Sequence, residues 1–315
     1  MKPNLPLLGA LVGLALAASS HAATWTGATN DSWATATNWT GTAPNNVTPQ
    51  AIVYDATSTG NPFQTLNGSY TITGISVGDP VGLILIEASN VAHVLTLGSG
   101  GIDMSAAADN LTLSTVLNVG VNQTWTVGPL RQLTLAGGIN DTAAVNLAFN
   151  GAGTYSFIGS TTANFNLGGT VTFGSGAIWQ MGLTTDQASG TWFGSNGTAG
   201  TGSPITFAGG NTIRSNGASA RFVNNNLVFQ GDMNLGGGAN GGIHLFGTIN
   251  LNGGTRTLTT NSQDPTIVSG VISNGSLTKA GSSTLVLSGA NTYAGATQVD
   301  AGTLLVNGSP SGAGP

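Results

Sequence analysis

The chain lacks cysteine altogether, and its 315 residues hold only six Lys and Arg against eleven Asp and Glu. Without cysteine there is no disulfide framework, no thiolate metal site and no lipid-bearing thiol. Charged residues make up 5% of the chain, where an ordinary soluble domain carries about a quarter. Six scattered cations cannot form the basic footprint that nucleic acid requires, so nucleic acid is excluded as a partner. Disorder is also excluded, because hydrophobic residues reach 40% while charge is low. With 50 Gly but 11 Pro, and no glycine at every third position, a collagen helix does not fit.

Long apolar runs are scarce as well. Lys2 precedes the one such run, Leu5 to Ala18, and Ser20-His21-Ala22 follows with small residues where a signal peptidase reads. Residues 1–22 are therefore expected to be a cleaved secretory signal. The alternative, a membrane anchor, would need about 20 apolar residues. Later in the chain the best run, Val81 to Ile86, ends at Glu87, so no membrane span is expected in the mature chain.

What the mature chain has in abundance is period-2 segments closed by glycine. Leu111-Thr112-Leu113, Leu133-Thr134-Leu135 and Leu285-Val286-Leu287-Ser288-Gly289 are examples. Such alternation turns one strand face to a core and the other to water. Helical spacing is missing, and glycine and threonine disfavour helix, so the fold is all-β. Leu111/Leu113, Leu133/Leu135 and Tyr155/Phe157 follow one another at a constant step of about 22 residues. Ile205/Phe207, Leu227/Phe229 and Ile249/Leu251 repeat it. A fixed step of that size marks a stacked solenoid, whereas hairpin-built sandwiches space their strands by about 8 to 12 residues. The step predicts roughly 13 turns in a rod about 60 Å long. Asn-Gly pairs at Asn67, Asn150, Asn196, Asn216, Asn240, Asn252, Asn274 and Asn307 suit either solenoid corners or tight hairpins.

Residues with chemical potential are few. His93 and His244 are the only histidines after the leader, and both read as wall residues. The carboxylates are dispersed, without a doublet or an Asp-x-Asp pair, so they offer no paired acid and base. Asp109 and Arg131 lie one full step apart and are expected to form an exposed ion pair between turns. Gly236-Gly237-Gly238-Ala239-Asn240-Gly241 satisfies the dinucleotide pattern, but with this glycine content and no strand–helix unit around it the match is a product of composition. No catalytic residue, metal site or cofactor is expected. Trp25, Trp33 and Trp39, half of all tryptophans, sit close together near the start of the mature chain. They are expected to cap the open N-terminal end of the solenoid, the other reading being a platform for sugars.

One stretch is more specific. From Gly275 to Gly308 the chain places Gly275, Leu277, Thr278, Lys279, Gly281, Thr284, Leu285, Leu287, Gly289, Asn291, Tyr293, Gly295, Thr297, Val299, Gly302, Leu304 and Asn307 in a pattern that closely resembles the autotransporter-associated β-strand repeat of bacterial passenger domains. The resemblance implies a right-handed parallel β-helix, secreted or displayed at the outer-membrane surface of a Gram-negative-type bacterium. It assigns those residues structural roles, with Lys279 expected as a structural surface residue rather than a base. The expected division is a signal at 1–22, an N-terminal β cap and first turns at 23–92, and a β-solenoid over 93–315 with the repeat at 275–308. No translocator barrel is present before Pro315, and the chain is accordingly expected to be a segment of a longer protein. The function that follows is a non-catalytic passenger scaffold suited to adhesion on surface glycans or proteins. Its rival is an extracellular module that binds or cleaves polysaccharide.

Overall fold

A computed structural model describes residues 22–141, 143–158, 165–182 and 204–308. Residues 1–21 of the expected signal, the chain end after Gly308 and the Asn196 corner lie outside the described residues.

The chain winds into a parallel β-solenoid with three strands to a coil. In one coil these are Gln123–Val127, Gln132–Leu135 and Ile139–Asp141, after which Leu147–Asn150 lies in parallel on Gln123–Val127. Repetition of that path builds three walls. The first wall runs from Ala23–Trp25 to Ile272–Ser273, and the second is an 11-stranded stack from Phe63–Leu66 to Thr297–Val299. Five strands from Arg221–Val223 to Thr303–Val306 form the third wall of the C-terminal coils. Among the described residues the only antiparallel pairing of strands joins Ala23–Trp25 to Trp39–Thr40. Parallel pairing is also continuous across residue 92, since Tyr70–Val77 lies on Val94–Met104.

The step expected from spacing appears directly in the register. Leu111 aligns with Leu133, and Leu133 with Tyr155; Ile205 aligns with Leu227, and Leu227 with Ile249. Other steps depart from it. Ile84 aligns with Leu111 and Trp179 with Ile213, both longer returns, while Leu277 to Thr297 is a shorter one. These unequal steps reduce the expected 13 turns to the eleven stacked strands of the second wall, a length of about 50 Å.

Alternation explains the core. Along Leu147–Asn150, Leu147 and Phe149 are buried while Ala148 faces outward. Inward side chains then stack in columns, because parallel register puts each on its counterpart one coil away. Trp125, Phe149, Phe173, Phe207 and Phe229 form one such aromatic column. Phe149, Phe173 and Phe207 stack face to face, at 4.8 and 5.1 Å between centroids. Aromatic pairs in such contact contribute about 0.5–1.5 kcal/mol each beyond area burial.

At the corners, glycine is required where coils touch. Gly247, Gly270, Gly289 and Gly308 stack in a column in which a Cβ on each would run into the carbonyl of the coil beneath. A side chain there would push two coils apart, which is why this turn is written with glycine in four successive coils.

Candidate functional site

The N-terminal end is closed by three indoles. Trp25 and Trp39 meet edge to face at 4.9 Å, and Trp33 meets Trp39 at 5.2 Å and Tyr70 at 5.3 Å. Every indole N–H of the three donates inside the fold: Trp25 to the Asn61 carbonyl (2.9 Å), Trp33 to Gln64 Oε1 (2.9 Å) and Trp39 to the Trp33 carbonyl (3.0 Å). Asn38 ties the connecting loop, its Oδ1 accepting from the Thr29 and Asn30 amides. With all three rings buried, none has a face free to stack on a sugar.

The repeat at the other end forms the last described coils. Leu277, Leu285 and Leu287 fill the core, and Leu304 lies partly buried in register with Leu285. Thr278 faces outward in line with Thr257 and Gln298, and Thr284 aligns with Thr303. Asn291 is buried and its Oδ1 accepts from the Ile272 amide at 2.8 Å, closing the turn onto the coil below. The Tyr293 hydroxyl bonds Thr297 Oγ1 at 2.8 Å, and the Asn307 amide donates to the Leu287 carbonyl at 2.8 Å. Gly295 packs on Gly275 and Ser276 where no Cβ would fit, and Gly275 itself adopts a positive φ. Val299 stands in register with Lys279 and is about half exposed.

Lys279 corrects the expectation of a surface residue: it is completely buried. Alternation puts Leu277 and Lys279 on the same, inward face, and Lys279 occupies the column of Met233 and Leu258. The stem packs as an aliphatic side chain, and the ammonium donates to the carbonyls of Ala280 (2.7 Å), Gly281 (2.9 Å) and Ala301 (3.0 Å). Three donors meet three acceptors, so the cation is fully satisfied without a carboxylate. Burial holds its pKa below the ordinary lysine value. Gly281 and Gly302, both left-handed at φ +78° and +73°, let the two coils close around the ammonium.

The arginines follow the same rule. Arg131 Nε donates to the Ala107 carbonyl at 3.0 Å, a backbone partner in place of the expected Asp109. Arg256 Nε donates to the Phe229 and Leu251 carbonyls, Arg221 to those of Met181 and Ala220, and Arg214 Nε to Gln180 Oε1. Among the described residues, the lysine and the arginines thus staple coil to coil through neutral oxygens.

The two histidines of the described residues make different contacts. His93 Nδ1 lies 3.1 Å from both Ser89 Oγ and the Leu66 carbonyl, and Ser89 Oγ donates to that same carbonyl at 2.9 Å. The Leu66 carbonyl is thus shared by the serine hydroxyl and the imidazole edge. His244 faces outward from Ile243–Leu245, with its ring edge to face with Phe222 at 4.8 Å. Burial lowers its pKa and the charge of Asp264 partly restores it. Among the described residues no three His, Asp or Glu side chains come together as a metal-holding group. Among them, too, no helix is long and apolar enough to cross a membrane.

Residues 277–306 match the family model described as passenger-associated-transport-repeat, which covers the core of the Lys279 coil and the one above it. Searches of curated proteins and of solved structures found no match.

Proposed function

We propose that this chain is a segment of an exported bacterial passenger, displayed outside the cell as a rigid, non-catalytic rod whose Thr- and Asn-rich walls serve adhesion. The observation that carries the reading is the matched repeat at 277–306 within a continuous parallel solenoid. Closure by Lys279 and Asn291 gives the matched residues a mechanical task, holding each coil on the one before it. A solenoid with nearest-neighbour contacts is also suited to export in an unfolded form and folding coil by coil afterwards. Arginines bonded to neutral oxygens and carboxylates dispersed along the chain support a scaffold over a cleaving enzyme.

Surface shaving tests this. Intact producer cells treated with protease should lose reactivity to an antibody against residues 23–308, and deletion of 277–306 should reduce the displayed amount. Antigen that stays protected inside intact cells would overturn the reading.

A further inference from the structure

The first wall carries a groove that belongs neither to the repeat nor to the tryptophan cap. It has a volume of about 420 Å³ and is lined from Ser99 across Asn122 and Thr124 to Asn146, Ala148 and Thr172. That size falls within the range of small-ligand sites, roughly 300–1,000 Å³. No charged residue lines it.

Its chemistry follows from how the coils are joined. Asn122 Oδ1 accepts the Asn146 amide at 2.8 Å, and Asn146 Oδ1 accepts the Thr170 amide (3.1 Å) and hydroxyl (2.7 Å). The ladder between coils thus takes both lone pairs of Asn146 Oδ1 and one of the two on Asn122 Oδ1. Each asparagine keeps its NH₂ group, two donors, for the groove, and Asn122 keeps one lone pair besides. The hydroxyls of Ser99, Thr124 and Thr172 face the same space, and Ala148 gives the floor a small apolar patch. Amide donors and hydroxyls thus recur with the coil spacing, about 4.8 Å.

We infer that this groove binds a neutral, extended glycan. Uncharged donors and hydroxyls match the hydroxyls and ring oxygens of a sugar chain, whose rise per residue in an extended β-linked form is close to one coil. An anionic polymer would find no cation there, and a peptide would find neither an open strand edge nor pockets for side chains. With no aromatic ring in the lining, affinity is weak, with Kd on the order of 1 mM. This inference rests on the adhesive part of the proposed function and deepens it by naming the ligand class. It does not require export, because it is measured on purified chain.

The test is an amide-resolved NMR titration of the mature chain with cellohexaose, maltohexaose and laminarihexaose, with oligogalacturonate as the charged probe. A neutral hexaose is expected to shift the amides of Asn122, Asn146 and Thr172, and oligogalacturonate to leave them in place. Ala148→Trp fills the groove from an outward position and should weaken binding at least tenfold. Thr124→Val, which removes the hydroxyl and keeps the shape, should weaken binding at least threefold and serves if the tryptophan variant folds poorly. Val228→Trp, on the same wall but two coils beyond Thr172, is the control and should bind normally. No shifts with any neutral hexaose, shifts confined to another wall, or shifts unchanged by both groove variants would overturn the inference. Either of the first two results would leave the display experiment unaffected.

Discussion

Replacing Lys279 by methionine keeps the volume of the stem and removes the ammonium. The carbonyls of Ala280, Gly281 and Ala301 then converge with no donor between them. A hydrogen bond to a charged group contributes about 1.5–3 kcal/mol, so the three together contribute about 6 kcal/mol. Against this, the folded state no longer has to strip water from an ammonium, a relief of several kcal/mol. The lost hydrogen bonds outweigh that relief by about 2–4 kcal/mol, and the loss is local to the last coils. Native-state hydrogen exchange reads it directly at the Asp300 amide, which donates to the Lys279 carbonyl at 2.8 Å. A pH series gives a second arm. Because burial depresses the folded pKa, the unfolded chain binds the proton more tightly, and stability rises with pH from the depressed value up to the ordinary lysine value. The methionine variant should lack that slope. If its exchange at Asp300 stays within about 0.5 kcal/mol of the parent, the carbonyl clamp contributes nothing net and its part in holding the last coils is refuted.

His244 provides the acid-side counterpart. Its depressed pKa means that stability is lost as pH falls from the ordinary histidine value to the folded one, and His244→Gln should flatten that part of a melting-temperature profile. Gly270→Ala forces a methyl into the Gly247 carbonyl and should cost about 1–3 kcal/mol in denaturant titration, while Gly68→Ala, where the added carbon meets nothing, should be near neutral. Trp33→Ala removes a completely buried indole and its bond to Gln64, and should cost about 3–5 kcal/mol, seen as early loss of near-UV circular dichroism at the N-terminal end.

The architecture is legible in the sequence through spacing. Leu111, Leu133 and Tyr155 are separable from a sandwich because a parallel coil returns each inward residue to its own column, and the register pairs these same residues. A constant step overcounts the turns because it ignores intervals where the chain takes longer to return, as between Tyr155 and Trp179 and then Ile213. Lys279 misleads because a lysine reads as solvent-facing by type. Its parity with Leu277 carries the opposite signal, since residues two apart share a face. Spacing alone pairs Arg131 with Asp109, while the nearer acceptor is a backbone carbonyl that no side-chain pattern records. The groove is hidden for a different reason: asparagine and threonine are so common here that only the bonds spent in the ladder show which amide groups remain outward.

The ring column of the first wall bears on how such a molecule can diversify. Phe173 and Phe207 are neighbours in space, their rings nearly parallel at 8°, although a long stretch of chain separates them. Two flat faces that recognise each other bring the path back to its track whatever length of chain intervenes. An interval of different length between those two strands therefore leaves the alignment of the coils beyond it unchanged. That makes it the natural place for a lineage, or an engineer, to graft new cargo onto an otherwise unchanged mast.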